Sequence, residues 1–582
     1  MADATPMVET EVLIVGAGPA GAGASALLAT YGIDNIVINK RNNTAQEPRA
    51  HITNQRAVEV FRDLGLEGEV ERFATPQEYL AEHVYATSLV GEELGRVKAW
   101  GNHPETQAAH QMASPTKLCD LTQDFWEPIL LTAASGRGSR VRFNTDYVSH
   151  EQDADGVTVT LHDRLVGSTY QVRAKYLIGA DGARSQIAED IGLPMVGKMG
   201  LAASMNVVFE ADLSHLVAHR PGVLYWLIQP AGGFSNNVLR MVRPWDKWLA
   251  TYGFDMDDKP EDLTDEMCEE IVGNLIGDKD IPIKITDKSL WTINEMYAEE
   301  LSKGRVFCMG DAIHRHPPNN GLGANTCIQD AYNLCWKLAM VLKGQAGEDL
   351  LKSYDPERMP VGKQIITRAN QSLRELMPIY ETLGAVPGAS EEQIESTMAA
   401  RKGANADAAA QRDALLKAVE LTKYDFDAHG VEMNQRYESD AILPDGTEDP
   451  GFDRDPELYY QQSARPGAHV PHIWVTQDDR QVSTFDLCGH GEFSLLTGIG
   501  GEAWTEAAAA VESQLGVKVN VHVIGPGQDY EDIYGDWANA REVGESGALL
   551  VRPDHFIGWR AHEVSASATD DLVAAMKAIL AR

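Results

Sequence analysis

The chain has 582 residues, of which 43% are hydrophobic and 23% charged, a composition typical of a globular protein with about two to four domains. Eighty-six acidic against 50 basic residues give a formal net charge of −36, which excludes nucleic acid and anionic membrane surfaces as partners. No apolar run reaches the ~18 residues that a membrane-spanning helix needs, and the N-terminus has no signal-sequence pattern, so we expect a cytoplasmic protein.

The first predicted unit is a βαβ element. Residues 11–15 form a short apolar strand that leads into the glycine-rich loop 16–21, and a small-residue helix and a second strand follow. Gly16 permits a tight turn, Gly18 lets a pyrophosphate approach the backbone, and Gly21 lets the helix and strand pack closely. The element predicts a dinucleotide site, although a turn of this kind also occurs without a ligand.

The end of the second strand is atypical for such a site. An acidic residue that binds the ribose is common about 20 residues after the glycine loop, but here Asn39 and Lys40 occupy this place. An amide can still bond a hydroxyl group. We therefore expect both residues to contribute to cofactor binding, with a weakened preference for the ribose of NAD.

Two later strand ends place an aspartate beside a glycine. One apolar strand ends at Asp181-Gly182, and another ends at Gly310-Asp311. Either pair alone is often an ordinary turn. Their order and spacing behind the glycine loop favour one shared dinucleotide site.

The fourth piece is a loop that opens a long helix. Gly321, Leu322 and Gly323 precede apolar residues at helical spacing, and Gly344 ends the pattern. The positive end of such a helix can stabilise a reduced, anionic flavin ring. The same pattern fits a buried core helix with a glycine entry, and both interpretations can hold.

The C-terminal part changes to short alternating elements. The pattern predicts strands at 483–487 and 519–523, a helix at 505–516, and a hairpin that turns at 554–555. This alternation fits a thioredoxin-like module. With Cys488 as its only cysteine, the module cannot perform dithiol exchange.

No metal site is predicted. The six cysteines are scattered without a CxxC pair, and His314 and His316 have only Asp311 near them at ligand spacing. We expect reduced thiols and no bound metal.

Together the motifs resemble those of the single-component flavoprotein aromatic hydroxylases of the p-hydroxybenzoate hydroxylase fold, and residues 48–56, 243–245 and 428–437 are similar to its phenol-hydroxylase branch. The resemblance implies an α/β fold in which an FAD-binding, Rossmann-like domain is interleaved with a β-sheet substrate domain. The implied boundaries are 1–80, 105–190 and 300–375 for the FAD domain, 81–104 and 191–299 for the substrate domain, 376–445 for a helical connection and 446–582 for the thioredoxin-like domain.

The resemblance also implies an activity. A substituted or chlorinated phenol would be hydroxylated at the ortho position to a catechol, with FAD as cofactor, NADPH or NADH and O₂ as co-substrates, and a flavin C4a-hydroperoxide as the oxygenating species. A homodimer is implied as well. The same fold leaves open an FAD-dependent dehydrogenase or halogenase, although no WxWxIP stretch of a halogenase is present. A nucleotide-binding regulator is a further alternative, which would lack the colour of a bound flavin.

His51 is the expected base. A phenol has a pKa near 10, so attack at neutral pH benefits from a histidine that removes its proton. Asp120 matches an acid that orients this base in similar enzymes. The plainer alternatives are a hydrogen-bonded histidine at a buried helix start and a turn or cap aspartate.

The resemblance assigns the remaining positions. Trp226, Pro318 and Asn319 are expected in the substrate pocket, where Asn319 adds polarity and Trp226 offers an aromatic face or simply fills the core. Arg240 is expected in nicotinamide nucleotide handling, although a lone arginine on a strand is more often solvated. The residues expected to bind the cofactors are Gly16, Gly18, Gly21, Asn39, Lys40, Arg49, Gln123, Asp181, Gly182, Arg240, Gly310, Asp311, Pro318, Gly321, Leu322, Gly323 and Asn325.

Overall fold

The computed structural model describes residues 7–230, 237–254, 256–257, 260 and 262–582, so the N-terminal residues 1–6, where no signal sequence is expected, lie outside the described set. The strands in chain order are β1 (Met7–Val15), β2 (Asn35–Ile38), β3 (Thr75–Pro76), β4 (Glu82–Ala86), β5 (Glu93–Lys98), β6 (Cys119–Asp120), β7 (Arg140–Arg142), β8 (Thr145–Gln152), β9 (Val157–Asp163), β10 (Ser168–Gly179), β11 (Met195–Glu210), β12 (Leu224–Leu227), β13 (Val238–Arg243), β14 (Lys247–Phe254), β15 (Lys284–Ala298), β16 (Ser302–Lys303), β17 (Val306–Cys308), β18 (His314–Arg315), β19 (Trp474–Gln477), β20 (Arg480–Ser483), β21 (Phe493–Thr497), β22 (Val519–Val523), β23 (Ala548–Val551) and β24 (Ile557–Ala561).

The α-helices in chain order are α1 (Pro19–Thr30), α2 (Gln55–Asp63), α3 (Glu67–Phe73), α4 (Gln107–Ala113), α5 (Gln123–Gly136), α6 (Gln186–Asp190), α7 (Ser214–Val217), α8 (Asp265–Ile276), α9 (Gly323–Leu342), α10 (Tyr354–Glu375), α11 (Met377–Thr382), α12 (Glu391–Ala400), α13 (Ala406–Leu421), α14 (Lys423–Phe426), α15 (His429–Met433), α16 (Ala503–Leu515), α17 (Asp536–Ala540) and α18 (Ala568–Ile579).

The first sheet has the order β16-β17-β10-β1-β2-β7, in which β17, β10, β1, β2 and β7 run parallel and β8 and β9 extend it along β10. Register places Val15 beside both Ile38 and Gly179, and Gly179 beside Cys308. Four parallel strands therefore end at one level. The segments that follow them, which are the predicted glycine and aspartate motifs, gather at one edge of the sheet.

The second sheet has the order β18-β15-β11-β14-β13-β12-β4-β5 and is antiparallel except where β12 pairs with β4. Its register places His83, Leu224 and Arg240 in one cross-strand row and Tyr85, Trp226 and Val238 in the next. Paired residues point to the same face of a sheet. One face thus carries both rows. The opposite face contributes to a core that includes residues of α8.

Helices α11 to α14 cover part of this second sheet. Their buried residues Ile379, Leu415, Val419 and Phe426 belong to the same core as buried residues of the second sheet. A Cβ added at Gly95 on β5 would lie 3.0 Å from Val419, so helix and strand are in close contact there.

The C-terminal sheet has the order β22-β21-β23-β24, with β21 and β22 parallel and the other pairs antiparallel. A βαβ unit through α16 is followed by a ββα unit that ends in α18. This arrangement confirms the thioredoxin-like fold. One predicted strand is wrong, because residues 484–487 form a 3₁₀ turn. Ser483 Oγ accepts from the Phe485 amide at 3.0 Å and Asp486 accepts from the Ser483 amide at 2.9 Å, a capping box that begins a helical turn.

Among the described helices none is long and apolar enough to cross a membrane. The described residues also contain no group of three or more His, Cys, Asp or Glu side chains that could hold a metal ion. His314 pairs with Asp330 at 2.9 Å, and His316 Nδ1 donates to the carbonyl of Pro317 at 2.5 Å.

Candidate active site

The glycine loop at the edge of the first sheet is too crowded for side chains at two positions. Gly16 has a φ of +106°, and a Cβ there would lie 2.0 Å from the carbonyl oxygen of Ala180. A Cβ on Gly21 would lie 1.9 Å from the carbonyl oxygen of Gly16. These contacts join β1, α1 and the end of β10 into one compact turn, as the sequence predicts.

Gly18 is different, because the space beside it is open. The atom nearest to a Cβ on Gly18 would be Glu127 Oε1, at 3.9 Å. No side chain caps the N-terminus of α1, where Pro19 occupies the first turn. A helix start with uncapped amides and an open approach fits the pyrophosphate of FAD. The glycine loop and the start of α1 therefore fit FAD.

Two alanine substitutions separate the roles of these glycines. Gly21→Ala is expected to lower the stability of the apoprotein by roughly 1–3 kcal/mol through overpacking. Gly18→Ala is expected to leave apoprotein stability unchanged while weakening FAD binding at least about tenfold, because its methyl group would occupy the pyrophosphate approach. Thermal unfolding of the apoprotein and FAD titration measure the two effects. A Gly18→Ala variant that binds FAD as tightly as the wild type would contradict this cradle.

The aspartate of the second motif has a structural task. Asp181 Oδ1 accepts from Ser185 Oγ at 2.5 Å, and Oδ2 accepts from the Gln186 amide at 2.9 Å, so the carboxylate supports the start of α6. Gly182 next to it has a φ of +87° with open space on its Cβ side. The Asp181-Gly182 turn thus faces the same sheet edge as the glycine loop.

The third motif packs between two helices. A Cβ on Gly310 would lie 3.0 Å from both Ala20 of α1 and Cys327 of α9, and the Gly310 amide donates to Asp330 at 3.0 Å. This close packing leaves no room for a side chain at position 310. The side chain of Asp311 is exposed at the sheet edge.

The fourth motif joins α9 to the predicted base segment. A Cβ on Gly321, which has a φ of +63°, would lie 3.0 Å from Ile52. Asn325 is 1% exposed; its side chain donates to the carbonyl of Ile52 at 2.8 Å and accepts from the Asn54 amide at 3.0 Å. Leu322 is buried, while Gly323 begins α9.

The remaining predicted cofactor residues lie around this edge. Asn39 accepts from the Arg41 amide at 3.2 Å, and Lys40 is exposed. The Arg49 side chain is 47% exposed and pairs with Glu47. Gln123 begins α5 and donates to Glu127 at 2.6 Å.

The predicted base and acid meet because their chain segments pair. Thr53 and Cys119 exchange backbone hydrogen bonds of 2.9 and 3.0 Å, which places β6, with Asp120, beside the residues that precede α2. His51 Nδ1 lies 3.2 Å from Asp120 Oδ2. Ala50, just before the histidine, has a φ of +53°, an unusual value for alanine that turns the chain into this position.

Arg240 completes the cluster from the second sheet. Its Nη2 donates to both oxygens of Asp120 at 3.0 and 2.9 Å, and its Nη1 donates to the carbonyl of Pro48 at 2.7 Å. Asp120 is fully buried and Arg240 is 5% exposed. Arg240 is thus an inner ion-pair partner, and the alternative of a solvated strand residue is wrong.

Burial and charge set the protonation of this cluster. Burial alone would raise the pKa of Asp120, but the Arg240 guanidinium, and then His51, outweigh it and lower the pKa. Burial, and then Arg240, lower the pKa of His51 despite the opposing carboxylate. An ionised Asp120 beside a neutral His51 fixes the proton on Nδ1. Nε2, which has no partner among the described residues, is left as a free acceptor.

An aromatic wall adjoins His51. It consists of Trp226 together with three residues that the sequence did not reveal: His83, Trp100 and Phe426. Trp100 lies edge-on to His51 at 6.3 Å between ring centres, and Phe426 lies 3.8 Å from His83 and 6.0 Å from Trp226. His83 lies on β4, Trp100 in the turn after β5 and Phe426 at the end of α14, none of them within a motif, so only their contacts reveal them.

Two predicted pocket residues differ in exposure. Pro318 is exposed, whereas Asn319 is 8% exposed and donates to Asp425 at 2.7 Å. The Asn320 amide donates to the same carboxylate at 2.5 Å. Burial raises the pKa of Asp425 to about 6, against these hydrogen bonds. The amide of Asn319 therefore anchors the loop before α9 to α14.

Known proteins share this arrangement along the whole chain. Residues 9–369 match the FAD binding domain family, and residues 463–582 match the C-terminal domain of aromatic-ring hydroxylases. The chain is 55% identical to 2,4-dichlorophenol 6-monooxygenase of Delftia acidovorans, with full coverage of both. It is 47% identical to phenol 2-monooxygenase of Pseudomonas sp. (strain EST1001), over 97% of this chain and 91% of that protein.

A solved structure agrees over the same length. The flavin-dependent monooxygenase PieE, determined with FAD and substrate, superposes with a TM-score of 0.96 at 41% identity and covers 99% of this chain and 100% of that chain. The two sheets and the C-terminal module thus share their arrangement with a solved flavin-dependent monooxygenase. The chain belongs to the family of FAD-dependent aromatic-ring hydroxylases.

Proposed function

We propose that this enzyme hydroxylates a phenol at the ortho position to give a catechol. Phenol, O₂, NAD(P)H and a proton yield catechol, water and NAD(P)⁺, which balances atoms and electrons. Bound FAD supplies the redox chemistry, by accepting hydride from the nicotinamide and activating O₂. The observation that carries the proposal is the cluster of half-buried His51 with buried Asp120 and Arg240 beside an aromatic wall, in a chain 55% identical to a dichlorophenol monooxygenase.

His51 performs the proton transfer in this proposal. Its free Nε2 accepts the phenolic proton, while Nδ1–H remains bonded to Asp120. The buried carboxylate stabilises the imidazolium that forms, and Arg240 keeps the carboxylate ionised. The resulting phenolate is richer in electrons at its ortho carbons, where oxygen is added.

The test is a panel of phenol, chlorophenols, resorcinol, salicylate and 2-hydroxybiphenyl with the holoenzyme. NADH and NADPH oxidation, catechol and hydrogen peroxide are measured together, and the holoenzyme without a phenol is the control. At least one phenol should yield catechol in near-equal amount to the nucleotide oxidised. Nucleotide oxidation that yields only hydrogen peroxide with every phenol would overturn the proposal.

We also infer a homodimer in the cytoplasm, which the family resemblance supports. Light scattering coupled to size-exclusion chromatography should give twice the chain mass of 63.7 kDa. A mass of one chain at micromolar concentration would contradict the dimer.

A further inference from the structure

Two buried N–H groups of the aromatic wall lack an acceptor in the part of the chain that the structure describes. They are Nδ1 of His83 and Nε1 of Trp226. His83 is fully buried, and Trp226 is 6% exposed. Leaving such a group unpaired away from water is energetically unfavourable. A ligand that brings an acceptor would remove this cost.

Both groups are fixed as donors. An indole nitrogen can only donate. His83 Nε2 accepts from Trp100 Nε1 at 2.9 Å, so the neutral imidazole of His83 must carry its proton on Nδ1. Burial, and then the neighbouring His51, hold the pKa of His83 well below its usual range, which keeps this ring neutral.

The two donors lie on one face of the second sheet. His83 lies beside Leu224 on the neighbouring strand, and Trp226 is two residues further along that strand on the same face. Both rings pack around Phe426, at 3.8 and 6.0 Å between ring centres. Trp100 packs against both His51 and His83, at 6.3 and 5.8 Å between ring centres. Because the phenolic hydroxyl is engaged by Nε2 of His51, His83 and Trp226 are left for a second oxygen of the substrate.

The acceptor should be uncharged. Arg240 is already neutralised by Asp120, and Arg49 is paired with Glu47, so neither cation is left to balance a carboxylate. The donors themselves are neutral. A carboxylate would therefore lose its hydration for two neutral hydrogen bonds, whereas a carbonyl, nitro or hydroxyl oxygen would lose much less.

We propose that His83 and Trp226 select phenols that carry a second, uncharged oxygen acceptor on the ring. This inference rests on the proposed function and narrows its substrate class. Unsubstituted and alkyl phenols would leave both donors unpaired and would bind more weakly.

The test compares hydroxyacetophenones with ethylphenols, which have similar shape and differ in the carbonyl oxygen. All three positional isomers of each are titrated into the oxidised holoenzyme without nucleotide, and the flavin absorbance change gives Kd. The pH is kept where every phenol is protonated. At least one hydroxyacetophenone should bind about ten- to a hundredfold more tightly than its ethylphenol partner.

Variants assign the preference to the two side chains. Trp226→Phe and His83→Phe keep an aromatic ring and remove one N–H each, so the ratio of the two Kd values should fall about tenfold. Using the ratio cancels a general loss of packing. His83→Gln keeps an N–H donor and an acceptor for Trp100, so this variant should retain most of the preference.

Three results would overturn the inference: a ratio below about threefold for every isomer pair in the wild type, a ratio that survives in both phenylalanine variants, or a hydroxybenzoate that binds more tightly than the matching hydroxyacetophenone. The proposed function fails independently of these ratios, when no phenol is converted to a catechol. If catechol forms but hydroxyacetophenones and ethylphenols bind with similar Kd values, only the proposed selection of an oxygen acceptor by His83 and Trp226 is refuted.

Discussion

Replacing His51 by alanine is expected to lower kcat/KM for the best phenol by about 10²- to 10⁴-fold, the range for loss of a general base. FAD binding should remain, because the glycine motifs that form the cofactor edge lie on other elements. The exposed His219 offers a matched control, and His219→Ala should retain full activity. A His51→Ala enzyme with wild-type kcat/KM and an unchanged pH profile would show that this histidine is not the base.

The pH profile gives a sharper signature. His51 acts in its neutral form, so kcat/KM is full above its pKa and falls as the pH drops through it. Burial and Arg240 lower this pKa, which places the acid limb below the usual histidine value of about 6.5. Arg240→Met removes the positive charge and should move the limb to higher pH. Asp120→Asn removes the opposing carboxylate and should move it lower, with a loss of activity because the ring tautomer is no longer fixed.

Arg552→Ala is expected to destabilise the protein by about 3–5 kcal/mol, the cost of breaking a buried ion pair. Arg552 follows β23 of the C-terminal module and is fully buried against helix α10 of the FAD domain. It bonds both oxygens of Glu357 at 2.6 and 2.9 Å, and its Nε donates to Asp554 at 3.0 Å. Without it, Lys337 alone would face two buried carboxylates.

Protonation of Glu357 should make the Arg552→Ala variant more sensitive to acid. Burial opposes its ionisation, but Arg552 and then Lys337 outweigh burial and hold the pKa of Glu357 well below its usual range. A carboxylate whose pKa is lower in the folded than in the unfolded protein stabilises the fold at pH values above the unfolded-state pKa. This contribution is lost as the pH falls towards the folded-state pKa. Arg552→Ala should therefore begin to unfold at a higher pH than the wild type.

The control is an exposed ion pair. Arg164 is 51% exposed and bonds Asp146, so Arg164→Ala should change stability by less than about 1 kcal/mol. Urea unfolding, FAD release and limited proteolysis of the C-terminal module are the measurements. Lys337 lies on α9, which begins beside the edge of the first sheet where the glycine and aspartate motifs gather. We therefore expect FAD to be released as the C-terminal module detaches. Equal midpoints for the Arg552 and Arg164 variants would rule out this anchoring role.

Local chemistry allows the glycine loop to be predicted from the sequence. Gly16 and Gly21 are required by carbonyl oxygens about 2 Å from any added Cβ, so the phosphate loop can be recognised from the sequence alone. Local chemistry also explains why the prediction of a strand at 483–487 is wrong. The capping box of Ser483 and Asp486 begins a helical turn there, although the apolar pattern favours a strand.

The glycine and aspartate motifs, their order and the alternating elements of the C-terminal part are recognisable in the sequence, because each is a local pattern of neighbouring residues. Three sets of contacts appear only in the folded chain: Arg240 with the buried Asp120, His83 and Trp226 with Phe426, and Arg552 with Glu357 of α10. These contacts join residues from 120 positions apart, for Asp120 and Arg240, to 343 positions apart, for His83 and Phe426. They depend on strand register and on balancing charges that are buried together.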